Sequence, residues 1–363
     1  MTAPGRPSGP SRPFRIAVLA GDGIGGEVMG AALDVLRAVG DFHFDEQLIG
    51  AAAIDKTGVP LPEATLAACR AADAVLLGAV GTGEAPADPE APRPEAGVLS
   101  LRRALGLYAN LRPVRAFPAL SDVCPLKPER VAGADLVVVR ELTGGLYFGR
   151  RGRTADEAFD TCSYTAHEIE RVSRVAFELA ARRGPGARVT SVDKANVLDT
   201  SRLWRQVVED LAAREYPHVP VAHLLVDTAA MRLVTEPAAF DVVLTENMFG
   251  DILSDQTAAV AGSLGLLPSA SLPAPPDPEH GVRRALFEPV HGSAPDIEGR
   301  GLANPLGMVL SAALMLRHGL GRAAAAEAVE GAVDTALRRS VRPPDLGGSA
   351  TTADTTRAVL AAL

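Results

Sequence analysis

The sequence predicts the α/β class on three observations. Short apolar runs with strand character alternate with stretches whose apolar residues recur at helical spacing, the runs end in glycine-rich or charged turns, and no internal repeat is present. A chain of 363 residues is long for one core and suggests two lobes. Apolar residues make up 47%, charged residues 22%, and the net charge is −8, which describes an ordinary soluble protein with a mildly acidic surface. Nucleic acid is not an expected partner, because binding phosphates calls for a basic face. No run reaches the length of a membrane span. The start, residues 1–13, is rich in Pro, Gly and Ser, lacks the apolar centre of a signal peptide, and reads as a disordered tail. A cytosolic location is expected. Cys69, Cys124 and Cys162 are odd in number and scattered, which fits reduced thiols and neither a zinc site nor a disulfide framework.

Phe14 to Ala20 reads as a strand, Gly21 to Glu27 as a glycine loop, and Val28, Ala31, Ala32, Val35 and Leu36 as one face of a helix. The loop is not a Rossmann fingerprint, since no acidic residue closes a clear second strand at the expected distance. A strand at Ala74 to Ala79 leads through Gly81 and Gly83 into a Pro-rich loop ending at Glu95, of a length used for binding loops and lids. From Gly97 onward Val98, Leu99, Leu101 and Leu105 suggest a helix. Asp135 to Arg140 is a strand entering a glycine-rich turn that carries Tyr147. Thr165 to Arg183 is the clearest helix, opened by the capping box of Thr165 and Glu168 and stopped by Gly184-Pro185-Gly186. Val189 to Val192 is a strand entering Asp193-Lys194, a helix with Leu203, Val207 and Leu211 follows, and Leu224 to Asp227 reads as a strand ending in a carboxylate. Phe240 to Leu244 has strand character. Ala261 to Ser271 is small and Gly-rich, residues 273–280 read as a surface loop, and Phe287 to Asp296 as a loop of backbone donors. Helices are expected from Asn304-Pro305 to Met315 and from Arg322 to Arg338.

The chemistry converges on Asn247 to Asp255, which follows a strand and opens a helix, the usual place for ligands in open α/β sheets. Asp251 and Asp255 are four apart, so a helix puts both carboxylates on one face, as a hard divalent cation requires. Aspartate also suits a first helical turn for its dipole, so the pair alone does not imply a metal. Arg102, Arg112 and Arg140 stand beside expected element ends. Together with a carboxylate pair they suggest a pocket for a dianionic acid, because the guanidinium fork matches a carboxylate in two-pronged geometry. Lys194, just after a strand, is a candidate proton carrier if its amine faces a closed site.

These segments, in this order, resemble the metal-dependent β-decarboxylating dehydrogenases, the isocitrate/isopropylmalate dehydrogenase family. The matching stretches are Gly21 to Glu27, Arg93 to Arg102, Ala109 to Pro113, Arg140 to Gly149, Ser191 to Val197, Val226-Asp227, Asn247 to Asp255 and His291 to Pro305, which cover nearly the whole chain after the tail. The resemblance implies two doubly wound lobes of the isopropylmalate dehydrogenase type, not Rossmann, with the active site in the cleft between them. The first lobe would comprise residues 14–107 and 262–363 on the cofactor side, the second residues 108–261 on the metal, substrate and dimerisation side. It further implies that Arg102, Arg112 and Arg140 bind the substrate's carboxylates, and that Asp227, Asp251 and Asp255 hold Mg²⁺ or Mn²⁺. Tyr147 would supply a proton and Lys194 would assist removal of the hydroxyl proton. Lys194 and Asp227 would reach the site from the other subunit of a homodimer. Glu95, His291, Gly292, Ser293, Ala294, Asp296 and Asn304 would meet the NAD cofactor, and Val98, Leu99 and Val197 the substrate's side group.

The activity implied is NAD-dependent oxidative decarboxylation of a small-molecule substrate, 3-isopropylmalate. Sister substrates, namely another 3-alkylmalate, tartrate, isocitrate and homoisocitrate, are the alternatives within the family. A Mg²⁺-dependent phosphohydrolase and a two-lobed solute-binding protein are alternatives outside it. Asp296-Ile297 stands where the NADP-using isocitrate relatives typically have Lys-Tyr, and a carboxylate there favours NAD. Gly26, Val98, Arg232 and Glu246 depart from the family's commonest pattern. None of Val98, Leu99 and Val197 can hydrogen-bond a carboxylate, so an apolar, branched substituent is expected.

Overall fold

The apolar runs read as strands all join one sheet, and those of them that pair with one another do so in parallel, because a crossover returns the chain to the same end of the sheet. The computed structural model describes residues 12–83 and 91–363. Most of the expected tail, residues 1–11, and the middle of the expected loop before Glu95, residues 84–90, lie outside the described residues. Arg12 and Pro13, assigned to that tail, are already tied down: Arg12 pairs with Asp73 at 3.0 Å, just before the first strand.

The strands are β1 (Phe14–Gly21), β2 (Phe42–Gln47), β3 (Ala74–Ala79), β4 (Ala109–Arg115), β5 (Asp135–Glu141), β6 (Arg151–Arg153), β7 (Ala158–Asp160), β8 (Val189–Asp193), β9 (Val221–Leu225), β10 (Val242–Thr245), β11 (Pro268–Leu272) and β12 (Leu286–Pro289). Ten of them form one sheet in the order β2-β1-β3-β12-β11-β4-β5-β10-β8-β9, and β6 with β7 forms a separate two-stranded ribbon. From β2 to β12 all pairs are parallel, and from β5 to β9 likewise, but the three junctions β12-β11, β11-β4 and β4-β5 are antiparallel. The two parallel sets therefore run in opposite directions, with β11 and β4 between them. The expected lobe boundary at residues 107 and 108 falls immediately before β4, where the sheet continues unbroken.

Helices cover both faces. Helix Ala166–Arg183 has the expected capping box at Thr165 and Glu168, while helix Leu306–Leu314 is buried throughout and packs on β11 and β12. Among the described residues no helix is long and apolar enough to cross a membrane. The three cysteines are free.

Several elements differ from expectation for identifiable reasons. β2 was missed because its sequence, Phe-His-Phe-Asp-Glu-Gln, is that of an edge strand with one wet face. The segment read as the loop Phe287 to Asp296 begins as β12, and the Gly-rich stretch before Leu272 contains β11; both are short runs with too few residues for a period. Asp227 does not end a strand: β9 stops at Leu225, and Asp227 lies in the first turn of helix Val226–Thr235.

Candidate active site

The two-residue period of a strand sends Asn110 and Arg112 of β4, Arg140 of β5, Ser269 and Ser271 of β11 and Glu288 of β12 to one face of the central strands. Register confirms the grouping, since Asn110 lies opposite Arg140 and Ser271, and Ser269 opposite Glu288. Asn110, 1% exposed, donates to Ser269 Oγ at 2.9 Å and Ser271 Oγ at 3.2 Å, and accepts from Arg112 Nε at 3.1 Å. Arg112 is thus aimed by a buried amide whose own polar atoms are satisfied.

Each of the three predicted arginines holds a carboxylate. Arg102, on helix Pro94–Ala104, meets Glu288 at 2.6 Å. Arg112 reaches Asp255 at 2.5 Å and Ser254 Oγ at 2.8 Å. Arg140, 5% exposed, is bonded to Asp251 through Nη1 and to Asn247 Oδ1 through Nε and Nη2 at 3.0 and 2.8 Å. Burial pulls the Arg140 pKa down, while Asp251 opposes that shift. The helix Asn247–Gln256 that carries both aspartates presses on β5 at Gly250, where a Cβ would stand 2.6 Å from Arg140 Cγ; this close approach explains the glycine. Glu246, a departure from the usual pattern, is the N-cap of this helix and accepts from Phe249 N at 2.6 Å. Arg232, the other departure, pairs with Glu236 at 2.5 Å and lies over the Phe240 ring.

Tyr147 donates its hydroxyl proton to Asp251 Oδ2 at 2.9 Å, with the Arg140 guanidinium 5.9 Å from its ring centre. Burial first, then the hydrogen bond and charge of Asp251, push the phenol's pKa up, so it is protonated at neutral pH. Val98, Leu99, Arg102 and Arg112 line one cavity of about 310 Å³ together with Glu95, Glu288, His291 and Gly292. Val98 and Leu99 form its aliphatic wall.

Lys194, Asp227 and Val197 are not brought to this cluster within one chain. Lys194 Nζ is bonded to Asp227 Oδ1, which lowers the carboxyl's pKa, and Val197 is 61% exposed. Among the described residues no three His, Cys, Asp or Glu side chains are placed to hold a metal ion. The donor set is nevertheless right for a hard cation: Asp251 and Asp255 are one turn apart on a helix, both are partly exposed, and only oxygen is offered.

The loop after β12 carries most of the residues that the family resemblance assigns to the cofactor. Its Ser293 carbonyl accepts from Ile24 N at 2.9 Å, and a Cβ on Gly23 would stand 2.1 Å from that oxygen, so the loop lies directly on the Gly21 to Glu27 turn. Ala294 has a left-handed φ of 39°, a strained conformation of the kind concentrated at ligand sites. His291 Nδ1 bonds the Gly292 carbonyl at 2.9 Å, whereas its buried Nε2 has no partner. Burial lowers the His291 pKa and keeps the ring neutral. Asp296 is exposed. Asn304 uses its side chain inside the protein, donating to Asp345 at 2.9 Å and accepting from Leu306 N at 3.0 Å.

Sequence reasoning missed Asn110, Ser269, Ser271, Glu288 and Asn247 as site residues. A signal existed for the serines and Asn110, since polar residues at i and i+2 in short central strands are unusual, but β4 and β11 had not been assigned as strands.

The isocitrate/isopropylmalate dehydrogenase family model matches residues 15–360. Among similar proteins, the 3-isopropylmalate dehydrogenase of Bacillus licheniformis is 54% identical over 92% of this chain and 90% of its own length. That of Streptococcus mutans is 51% identical over 96% and 99%. Among solved structures, isocitrate dehydrogenase from Methylococcus capsulatus superposes with a TM-score of 0.83 at 36% identity, covering 96% of this chain and 99% of its own. A β-decarboxylating dehydrogenase from Thermococcus kodakarensis gives 0.76 at 37% identity, covering 96% of each chain.

Proposed function

The chain belongs to the isocitrate/isopropylmalate dehydrogenase family, and from that membership we propose that it is a 3-isopropylmalate dehydrogenase. It oxidises (2R,3S)-3-isopropylmalate at C2 with NAD⁺ and releases CO₂ to leave 4-methyl-2-oxopentanoate, a step in leucine biosynthesis. The observation that carries this reading is the cavity in which Arg102 and Arg112, with Arg140 alongside, face an aliphatic wall of Val98 and Leu99. Arginines suit the two malate carboxylates, and the wall suits an alkyl group. A third carboxylate, as in isocitrate, would meet that wall without a cation of its own, at a cost of several kcal/mol against about 1–3 kcal/mol for a methylene mismatch.

Mg²⁺ or Mn²⁺, held by Asp251 and Asp255 with Asp227 of a second copy, would supply positive charge beside the oxygens on which negative charge develops. Arg112 and Arg140 now hold the very aspartates assigned to the cation. As the site loads, each guanidinium exchanges an aspartate for a substrate carboxylate, so these largely buried charges stay paired throughout. Lys194, beside Asp227, assists removal of the proton of the C2 hydroxyl, and Tyr147 delivers a proton to the carbon that loses CO₂. The loop 291–296 receives NAD⁺ with Glu95 beside it, and Asp296 accepts hydrogen bonds from ribose hydroxyls while repelling a 2′-phosphate.

The active form is a homodimer. In a single chain the Lys194–Asp227 pair stands apart from Asp251, and exposed Met231 and Ile252 lie on the two mutually packed helices Val226–Thr235 and Asn247–Gln256, an apolar surface suited to a second copy.

Nicotinamide absorbance, followed with Mg²⁺ and either NAD⁺ or NADP⁺ across 3-isopropylmalate, 3-ethylmalate, 3-isobutylmalate, isocitrate and tartrate, tests the assignment. The highest kcat/KM is expected with 3-isopropylmalate and NAD⁺. A preference for isocitrate or tartrate would overturn the pocket reading, and equal efficiency with NADP⁺ the role of Asp296. A preference for 3-isobutylmalate would keep the pocket but remove the enzyme from ordinary leucine synthesis.

A further inference from the structure

Asn247 is 1% exposed and sits where three parts of the site meet. Its Oδ1 accepts both hydrogen bonds from Arg140, at 3.0 and 2.8 Å, while its Nδ2 donates to the Gly144 carbonyl at 3.0 Å. Gly144 lies three residues before Tyr147, in the turn that carries the phenol. Buried Glu141 holds the other side of that turn, accepting from Gly144 N at 2.7 Å and from Thr143 N at 3.0 and 3.1 Å. The backbone N–H of Asn247 donates to Tyr164 Oη at 3.0 Å, and Tyr164 donates to Glu246, the helix cap, at 3.3 Å. Four residues further along the same helix, Asp251 receives Arg140 on one oxygen and the Tyr147 hydroxyl on the other.

An acceptor and a donor on one short side chain are both required here. Aspartate offers an acceptor to Arg140 but presents a second acceptor to the Gly144 carbonyl, and serine is too short to reach both. Nothing in the chemistry assigned to the site uses this amide. Resting on the reading of Tyr147 as the proton donor and Arg140 as a substrate arginine, we propose that Asn247 is a positioning residue that fixes the two relative to one another. Its loss then slows proton delivery by Tyr147 more than hydride removal from C2, because the Tyr147 turn hangs on the Gly144 carbonyl, whereas hydride transfer depends on the cofactor loop and on the other two arginines.

The test compares wild type, Asn247→Asp and Asn247→Ser in steady-state and rapid-mixing kinetics with 3-isopropylmalate, NAD⁺ and Mg²⁺, with Tyr147→Phe as reference. If wild type does not turn over, the functional reading itself is wrong. Given turnover, kcat is expected to fall about 10- to 100-fold in both variants, with the first-turnover rate of NADH formation falling clearly less. The D₂O isotope effect on kcat should rise toward that of Tyr147→Phe while the effect of deuterium at C2 on kcat shrinks. A parallel fall of kcat and first-turnover rate with unchanged isotope effects shows a merely structural residue and overturns the proposal, as does kcat within threefold of wild type. Asn247→Asp keeps the side-chain shape and Asn247→Ser adds no charge, so either variant that folds by circular dichroism decides the matter.

Discussion

Along β4, Asn110 and Arg112 point to one side of the sheet and Leu111 and Pro113 to the other, and the two sides are built on different physics. The first is a network of charges held in pairs, every arginine on a carboxylate and Arg112 aimed by an amide. The second lines a cavity of about 600 Å³ whose floor is Leu111, Pro113 and Val137 and whose far wall is Leu310, Leu314 and His318. Its own arginines are also paired, Arg115 with Asp334 at 2.8 Å and Arg183 with Asp135 at 2.7 Å, but their carboxylates have no assigned second task. On the catalytic side two of the carboxylates are those assigned to a cation. The difference lies in whether a pair is meant to exchange, and adjacent residues of one strand can therefore be asked for opposite phenotypes.

The largest effect is expected on the catalytic side, and it also tests whether that side is complete in one chain. Asp251→Asn and Asp227→Asn should each lower kcat about 10³-fold or more, by removing a cation ligand. Mixed after co-refolding or co-expression, the two inactive chains should recover about a quarter of wild-type activity, because half of the dimers are mixed and each of those has one intact site. No recovery, with mixed dimers shown to be present, would place Asp227 and Asp251 in the same chain's site and remove the shared-site reading.

Next in size is the contrast between neighbours. Asn110→Ala should cost about 1–3 kcal/mol in stability by leaving its buried partners unpaired, and should lower kcat/KM roughly 10- to 100-fold, because Arg112 loses the acceptor that orients it. Leu111→Ala, at a position 2% exposed on the opposite face, should cost about 2–4 kcal/mol in urea unfolding with KM unchanged. Equal losses of activity in the two variants would mean that the faces are not separable.

Much of this was legible in the chain before the fold. The strands with five or more apolar residues and the helices with caps announced themselves, as at Thr165 and Glu168, because local signals and burial agree there. The arginines and Asp251 were legible as residue types. What could not be read was the pairing that gives them meaning. Glu288 meets Arg102 across 186 positions of sequence, and Asn247 reaches the Gly144 carbonyl across 103. Short central strands such as β11 and β12 carry no usable period, so the polar face they share with β4 became visible only once they were paired. Asp227 was misread for a related reason: a strand running directly into a helix leaves no turn signal between the two.

The smallest effect belongs to the far side of the sheet. His318 closes that cavity on the π-helical turn Met315–Gly319, and burial first, then the neighbouring Arg317 and Arg182, lower its pKa from 6.5 to about 4. In the folded protein the ring is neutral across most of the range in which an unfolded histidine takes up a proton. The unfolded state therefore binds more protons between these two values, and stability must rise with pH there. The contribution is complete above the unfolded value and is lost as pH falls toward the folded one, amounting to about 2 kcal/mol between pH 7 and pH 5. Other groups also titrate in this range, so the measured quantity is the difference between wild type and His318→Gln in urea unfolding at the two pH values. Wild type should lose about 2 kcal/mol more than the variant, while KM for substrate shifts equally with pH in both, since the far side carries no exchangeable pair. A variant that loses stability in step with wild type would show that this histidine is already solvated in the folded state, and a KM that parts from wild type in acid would show that the two faces communicate.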